Sequence, residues 1–291
     1  QSGTGWVKVN YDDGNGCSAA QPTQLTVNVW SLPTPAILTG PASVCHNQTA
    51  QYTTTSGMSN YSWSLNPPSA GTLTGANTAT VSVQWNNTGT QNITATLTVS
   101  YTDNHGCTGT GSGMQITIKP RPTATATPQS QEICSGSNFT PIQLSSNISG
   151  TTFTWSGSTT GGISLPSGLQ NGSGNPIQSN SSLTNTNNTL ETVTFNITPT
   201  ADGCSGNQIQ ATIGVKPLPQ LTFNPTTHDP ICSGSSTNPI TFNSNLSNTT
   251  YSLTVSNPSS VNGVLSAGPV SALPSHTLTL PSPGTTQATV T

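Results

Sequence analysis

The feature of this sequence that most constrains its fold is an internal repeat marked by cysteines and prolines. One class of cysteine follows a Gly-containing turn, and its members lie 90 and 97 residues apart: Cys17, Cys107 and Cys204. A second class follows an apolar residue, and its members lie 89 and 98 residues apart: Cys45, Cys134 and Cys232. Prolines repeat at steps of 89 and 97 residues: Pro33, Pro122 and Pro219. Three markers that share one period indicate tandem structural repeats.

We call the first class the late-turn cysteines and the second class the early cysteines. The shared period predicts the domain boundaries. Residues 1–32 are expected to be the C-terminal end of a preceding repeat. Residues 33–120 and 121–217 are expected to be full β-sandwich repeats, and residues 218–291 a third repeat that is truncated before its last strands. The sequence opens with neither an initiator Met nor a signal peptide, so we expect a piece of a longer protein.

Between the markers, apolar and polar residues alternate with a period of two, which is typical of β-strands. Short strands separated by Gly, Pro and Asn, without a helical period, predict an all-β fold of antiparallel two-sheet sandwiches. The alternation predicts four aromatic core residues: Tyr61, Trp63, Phe153 and Trp155. Trp30 and Trp85 lie near a linker and a strand end, so we expect their removal to matter less. The Asn-, Ser- and Gly-rich residues 168–188 are expected to form a loop.

The charge of the chain excludes several classes of partner. Only 4% of the 291 residues are Asp, Glu, Lys or Arg, against roughly 25% in a typical soluble domain. The net charge of −3 gives no electrostatic basis for binding nucleic acid or an anionic membrane. The sequence holds no apolar run of about 18 residues, so we expect no membrane insertion.

The cysteines favour disulfides over a metal site. None of the six forms a CxxC pair and His is scarce, which argues against zinc. Regularly spaced Cys in a Ser-, Thr- and Asn-rich β chain favours an oxidising, extracellular compartment. All six are therefore candidates for disulfide bonds.

Catalytic motifs are absent from the sequence. There are seven acidic residues in all, and no Gly-x-Ser-x-Gly, HExxH or P-loop pattern occurs. We therefore expect no enzyme activity and no cofactor. The best metal candidate is a calcium loop of Asp12, Asp13 and Asn15, although the same residues suit a plain turn. Asp103 and Asp202 are expected to occupy equivalent turn positions in the next two repeats.

Several motifs together resemble a known family. Tyr61-Ser62-Trp63 on a central strand, a long Thr/Val strand, an Asn/Asp-Gly turn and a closing strand resemble a polycystic-kidney-disease-like (PKD-like), immunoglobulin-like repeat. The early cysteine, the late Gly-Cys and the Lys-Pro-x-Pro linkers are similar to tandem repeats of giant secreted surface adhesins of Bacteroidota. Those include gliding-motility adhesins and other cargo of type IX secretion. Trp63 is followed by Ser64-Leu65-Asn66 where the better-known PKD pattern has Asp-Phe-Gly-Asp-Gly, so no role of that acidic loop carries over.

Three functional hypotheses follow. The first is a non-catalytic segment of a long extracellular stalk or adhesin, whose partners are neighbouring repeats and, further away, surface glycans or cell-surface proteins. The second is an accessory carbohydrate-binding or spacer module of a secreted enzyme, with Trp85 as a candidate for an aromatic platform. The third is a subunit of an extracellular filament in which chains pair edge strands.

The cysteine pairing has two solutions. Pairing within a repeat would join Cys45 to Cys107 and Cys134 to Cys204. In a sandwich of this type, however, the last strand would separate Cys45 from Cys107 by about 30 Å at about 3.3 Å per residue, whereas a disulfide needs Cα atoms within about 7 Å. We therefore favour a bond between repeats, Cys45–Cys204. Cys134 would then bond beyond residue 291, and Cys107 and Cys17 to upstream repeats.

Overall fold

The computed structural model describes residues 3–227, 229–253, 268–270 and 272–280. The prediction of an all-β sandwich fold is confirmed. Within residues 1–32, two strands form an antiparallel hairpin: β1 (Gly3–Val9) and β2 (Thr23–Val29).

Residues 33–120 form a sandwich of two sheets. Its strands are β3 (Ser43–Cys45), β4 (Thr49–Thr53), β5 (Ser59–Asn66), β6 (Gly71–Thr74), β7 (Thr80–Trp85), β8 (Ile93–Thr102), β9 (Thr108–Thr110) and β10 (Met114–Lys119). One sheet has the order β3-β10-β8-β5, with β9 added to β8, and the other has the order β4-β7-β6. All pairs are antiparallel except β3 with β10, which run parallel.

Residues 121–217 repeat this plan. The strands are β11 (Ala124–Thr127), β12 (Ser130–Cys134), β13 (Gln143–Ser146), β14 (Thr152–Thr159), β15 (Asn171–Ser173), β16 (Glu191–Ala201), β17 (Cys204–Ser205) and β18 (Ile209–Lys216). The larger sheet has the order β12-β18-β16-β14-β15, with β17 added to β16, and β11 pairs with β13. As in the preceding repeat, the strand that carries the early cysteine runs parallel to the closing strand.

Strands continue into the described part of residues 218–291. They are β19 (Leu221–Asn224), β20 (Ile240–Ser244), β21 (Tyr251–Leu253), β22 (Gly268–Val270) and β23 (Ala272–Leu273). Within the described residues, each sheet takes its strands from a single one of the four predicted segments. The exact boundaries between the repeats stay a prediction.

Each full repeat has its own buried core. In residues 33–120, Trp63, Trp85 and Tyr52 pack with the inward faces of β7, β8 and β10. In residues 121–217, the core is formed by Phe153, Trp155 and Phe195 together with the inward-facing side chains of β16 and β18. The alternation of apolar residues therefore places three of the four predicted aromatics in a core.

Tyr61 and Trp85 depart from the sequence-based expectation. Tyr61 is only half-buried, because a β-bulge between Ser59 and Ser62 shifts the register of β5 against β8. Trp85, expected to be peripheral, has 0% of its surface exposed. It lies on the inward face of β7, so it cannot form a carbohydrate-binding platform.

The predicted loop 168–188 also carries structure. The one-turn helix α1 (Ser167–Gln170) overlaps its start, and β15 follows directly. Leu169, Ile177 and Leu183 are fully buried in the core of the repeat. The segment is Asn- and Ser-rich, but an apolar side chain every several residues anchors it against the sandwich. A second short helix, a 3-10 turn, spans Pro68–Ala70 in the preceding repeat.

Candidate functional site: the junction between consecutive repeats

A disulfide joins the two full repeats. Cys45 ends β3 in the first repeat and Cys204 begins β17 in the second, and their Cα atoms lie 5.7 Å apart. This distance is ordinary for a disulfide. The structure thus contains the bond between repeats that the strand geometry favoured, rather than the pairing of Cys45 with Cys107.

A charged contact lies beside this disulfide. The Lys119 ammonium donates a hydrogen bond to the backbone carbonyl of Asp202 at 2.9 Å and lies 3.4 Å from its carboxylate. The Asn92 side chain donates to the other carboxylate oxygen at 3.2 Å. The Asn92 hydrogen bond, followed by the contact with Lys119, lowers the pKa of Asp202 below its ordinary value. These contacts therefore favour the ionised form of Asp202.

The linker residue Arg121 binds both sides of the junction. Its Nε donates to the carbonyl of His46 in the first repeat at 2.7 Å, and its Nη1 donates to the carbonyl of Ser205 in the second at 3.2 Å. His46 is held in turn, because its Nδ1 accepts the backbone N–H of Asn87 at 3.0 Å. Arg121 thus clamps the two residues that directly follow Cys45 and Cys204.

The late turn is shaped by an aspartate that binds its own backbone. Asp103 accepts the N–H groups of His105 and Cys107 at 2.9 Å each. Asp13 accepts those of Asn15 and Cys17 at the same distance. These bonds lower the pKa of both aspartates.

This geometry bears on two expectations. One carboxylate oxygen of Asp13 already accepts two backbone N–H groups, and Asp12 lies in a bridge with Ser18. The turn interpretation thus describes this loop, and calcium binding at Asp12, Asp13 and Asn15 stays a prediction. The expected equivalence of Asp103 and Asp202 is wrong. Asp202 lies two residues before its cysteine, as His105 does, and its carboxylate faces the neighbouring repeat instead of its own turn.

Two glycines that the sequence analysis did not single out shape the near end of each repeat. A Cβ on Gly206 would lie 1.7 Å from the carbonyl oxygen of Pro122, and one on Gly109 would lie 1.9 Å from that of Pro33. Only glycine permits Pro122 and Pro33 to pack this closely. The signal was available, since both glycines stand two residues after a late-turn cysteine.

Two asparagines are the other residues that were missed. The Asn87 side chain donates to the carbonyls of Gln91 and Ile118 at 2.8 Å. Asn185 donates to the carbonyls of Thr189 and Val215 at the same distance. Each side-chain amide thus binds a backbone carbonyl near the C-terminal end of the strand that leads into the linker. Because the two residues are 98 positions apart, the repeat period could have identified them.

The preceding junction has the same layout with different side chains. Trp30 stacks on His105 with 3.8 Å between ring centroids and 20° between ring planes. Trp30 precedes Pro33 by three residues, as Lys119 precedes Pro122. His105 precedes Cys107 by two residues, as Asp202 precedes Cys204. At both junctions, the residue three positions before this proline, Trp30 or Lys119, therefore contacts the late turn of the following repeat.

The remaining cysteines are unpaired in the structure: Cys17, Cys107, Cys134 and Cys232. Within the described residues, no three or more His, Cys, Asp or Glu side chains gather where they could hold a metal ion. A shallow cleft at the junction is lined mainly by polar residues, among them Gln91, Asn92 and Asp202. The arrangement can hold two repeats in a fixed relation, covalently and by charge.

Part of the chain matches a model of a described protein family. Residues 131–219 match a family model described as a PKD-like domain. This match supports the PKD-like resemblance for the second full repeat. No curated protein matches the chain. None of the helices in the part of the chain that the structure describes is long and apolar enough to span a membrane.

The solved structures that align with the chain are distant from it in sequence. Extracellular cadherin domains 3–6 of protocadherin gamma B2 are 10% identical, with a TM-score of 0.28, over 97% of this chain and 76% of that chain. The fibronectin(III)-like modules of Clostridium thermocellum CbhA are 11% identical, with a TM-score of 0.28, over 63% and 95%. The D00-D0 domain of intimin is 14% identical, with a TM-score of 0.31, over 62% and 98%.

Proposed function

We propose that this chain is a structural, non-catalytic segment of a long extracellular stalk or adhesin, in which tandem sandwiches carry binding regions away from the cell surface. The observation that carries the proposal is the Cys45–Cys204 bond between consecutive repeats. A disulfide between repeats contributes little to the core of either sandwich, but it fixes how one follows the other. Such bonds persist in oxidising compartments, which supports an extracellular location.

The same bond repeated along the parent protein would make a continuous stapled rod. Cys134 and Cys107 occupy the positions of Cys45 and Cys204 in their own repeats. We infer that Cys134 bonds to the late turn of the following repeat and Cys107 to the early cysteine of the preceding one, with Cys17 and Cys232 continuing the series. The partners of this chain are then neighbouring repeats, and a surface glycan or cell-surface protein would bind elsewhere on the parent.

Small-angle scattering of the oxidised chain tests the extended shape. A compact globule of 291 residues would have a radius of gyration of about 19 Å, and we expect a clearly larger value. A value near that of the globule would contradict the proposal. Non-reducing peptide mapping of the parent protein tests the staples, since a Cys134–Cys204 peptide would show pairing within a repeat instead.

The resemblance to Bacteroidota adhesins extends the proposal to gliding motility and type IX secretion. Deleting these repeats from the parent protein in its own cells is the direct test. We expect the shortened protein to reach the surface and attachment or gliding to weaken, because the binding regions then lie closer to the cell. Unchanged attachment and gliding would argue against this role.

Carbohydrate binding is a second candidate, on a different surface from the one first expected. Trp6 and Trp30 keep 57% and 46% of their surfaces exposed, and Lys8 lies 4.4 Å above the Trp6 ring. Exposed indoles of this kind can stack on sugars. A glycan array probed with the chain and with the variants Trp6→Ala and Trp30→Ala tests it, and array signals that are equal for all three would reject these surfaces.

A further inference from the structure

The Cys45–Cys204 bond changes the path that a pulling force would take through the chain. The two cysteines are 159 positions apart, so 158 residues lie inside the covalent loop that the bond closes. This loop holds the strands β4 to β16. The shortest covalent route through the chain follows residues 1–45, crosses the disulfide and continues through residues 204–291.

We propose that this disulfide is a mechanical bypass, which carries tension from β3 directly to β17 and leaves the interiors of both sandwiches unloaded. The inference rests on the proposed structural role, which supplies the tension. It adds a specific function to the bond beyond holding two repeats in line.

The strand arrangement shows why the bypass protects both repeats. Without the bond, force would enter the first repeat near β3 and leave it through β10, and these two parallel strands would be sheared apart. With the bond, β10 lies inside the unloaded loop. In the second repeat the force enters at Cys204 and leaves at Lys216, the two ends of the segment β17–β18. That segment is already largely extended, so the force runs along its backbone and opens no strand pair.

Most of both cores lies inside the loop. Of the buried cluster in the first repeat, only Val44 precedes the bond. Of the cluster in the second repeat, only Ala211, Ile213 and Val215 follow it. The side chains whose separation would unfold either sandwich are therefore mostly on the unloaded side.

The length that the bond withholds is large enough to measure. At about 3.5 Å per extended residue, 158 residues span about 550 Å. The Cα atoms of the two cysteines are only 5.7 Å apart in the fold. Nearly the whole of this length would therefore appear as new extension if the loop could unfold under load.

Single-molecule force spectroscopy on the full 291-residue chain, held at its two termini, tests the bypass. For the oxidised chain we expect only the extension that comes from residues outside the loop. For Cys45→Ser we expect additional unfolding steps that sum to about 550 Å. Cys134→Ser removes a cysteine that is unpaired in the structure, and it should behave as the unmodified chain does.

Two further measurements keep the test decisive. If Cys45→Ser does not fold, adding a reductant to the unmodified chain between pulling cycles opens the same loop without a substitution. The proposal is overturned if the oxidised chain, with a mapped Cys45–Cys204 peptide, releases as much length as the reduced one. A compact shape in scattering would contradict the proposed stalk but would leave this result unchanged, so the two failures are distinguishable.

Discussion

Lys119 holds the late turn of the following repeat through the backbone carbonyl of Asp202, at 2.9 Å, as well as through the Asp202 carboxylate. The first contact does not depend on whether Asp202 is ionised, whereas the second does. One repeat earlier, Trp30 and His105 meet at the corresponding positions without an ion pair. The two junctions should therefore respond differently to acid.

The junction at Asp202 is expected to loosen in acid when the disulfide is removed. The pKa of Asp202 is lowered in the fold, so its contribution is fully present above the ordinary value of 3.8 and is lost as the pH falls through the lowered pKa. In a Cys45→Ser chain, scattering or NMR should show greater freedom between the two full repeats below about pH 4. Asp202→Asn in the same chain should lose this pH step but keep the bond from Lys119 to the carbonyl. An equal pH step in the Asn variant would disprove the assignment.

Removing the disulfide is expected to destabilise the pair of repeats. A bond that closes a loop of this size limits the unfolded chain, and typical losses are about 2–5 kcal/mol. Cys45→Ser should therefore lower the first melting transition in calorimetry and separate the unfolding of the two repeats. Cys134→Ser is the matched control and should melt as the unmodified chain does. If both substitutions lower the transition equally, the bond is not the cause.

Two of the three buried tryptophans, Trp85 and Trp155, are expected to be essential for the stability of their repeats. Trp155→Ala is expected to cost about 3–5 kcal/mol, as large-to-small changes in a core do. Trp85→Ala should cost at least as much, because Trp85 is completely buried. Trp30→Ala, at a residue 46% exposed, is the comparison and should cost less. Denaturant unfolding of the three variants decides the order, and a mild Trp85→Ala would contradict the core packing.

Gly206→Ala is expected to destabilise the second repeat. Its Cβ would lie 1.7 Å from the Pro122 carbonyl oxygen, so the linker backbone would have to move. Overpacking of this kind typically costs about 1–3 kcal/mol. Gly168→Ala adds a methyl group where no atom lies within 4 Å, and it should be neutral or slightly stabilising. Thermal melts of both variants provide the measurement, and equal melting temperatures would show that the linker yields freely.

The sequence was sufficient to predict the features of the fold that depend on periodicity. Alternation identified the strands and the cores around Trp63 and Trp155. The distance from Cys107 to the linker proline argued against its pairing with Cys45 and favoured the bond between repeats. The same alternation in β7 would have placed Trp85 beside Val81 and Val83 in the core, so its burial could have been predicted. Proximity to a strand end was the misleading signal.

Contacts that depend on how closely two backbone segments approach each other were harder to predict from the sequence. Comparing the turns by their aspartates predicts that Asp202 binds its own turn, whereas counting back from the cysteine aligns Asp202 with His105. The spacing from Cys204 marks Gly206 in the sequence, but the contact of Gly206 with Pro122 depends on how the linker crosses the turn in the folded protein. The clamp by Arg121 likewise depends on a distance between repeats that only the assembled structure defines.

The loop closed by Cys45 and Cys204 also affects how the chain tolerates cleavage. A protease that cuts one peptide bond anywhere between these residues leaves both pieces attached through the disulfide. Ser- and Asn-rich surface segments, such as residues 178–182, are accessible to proteases. A single cut there would separate the chain only after reduction. The bond thus gives this part of the protein a second covalent connection, so that one broken backbone link does not detach what lies beyond it.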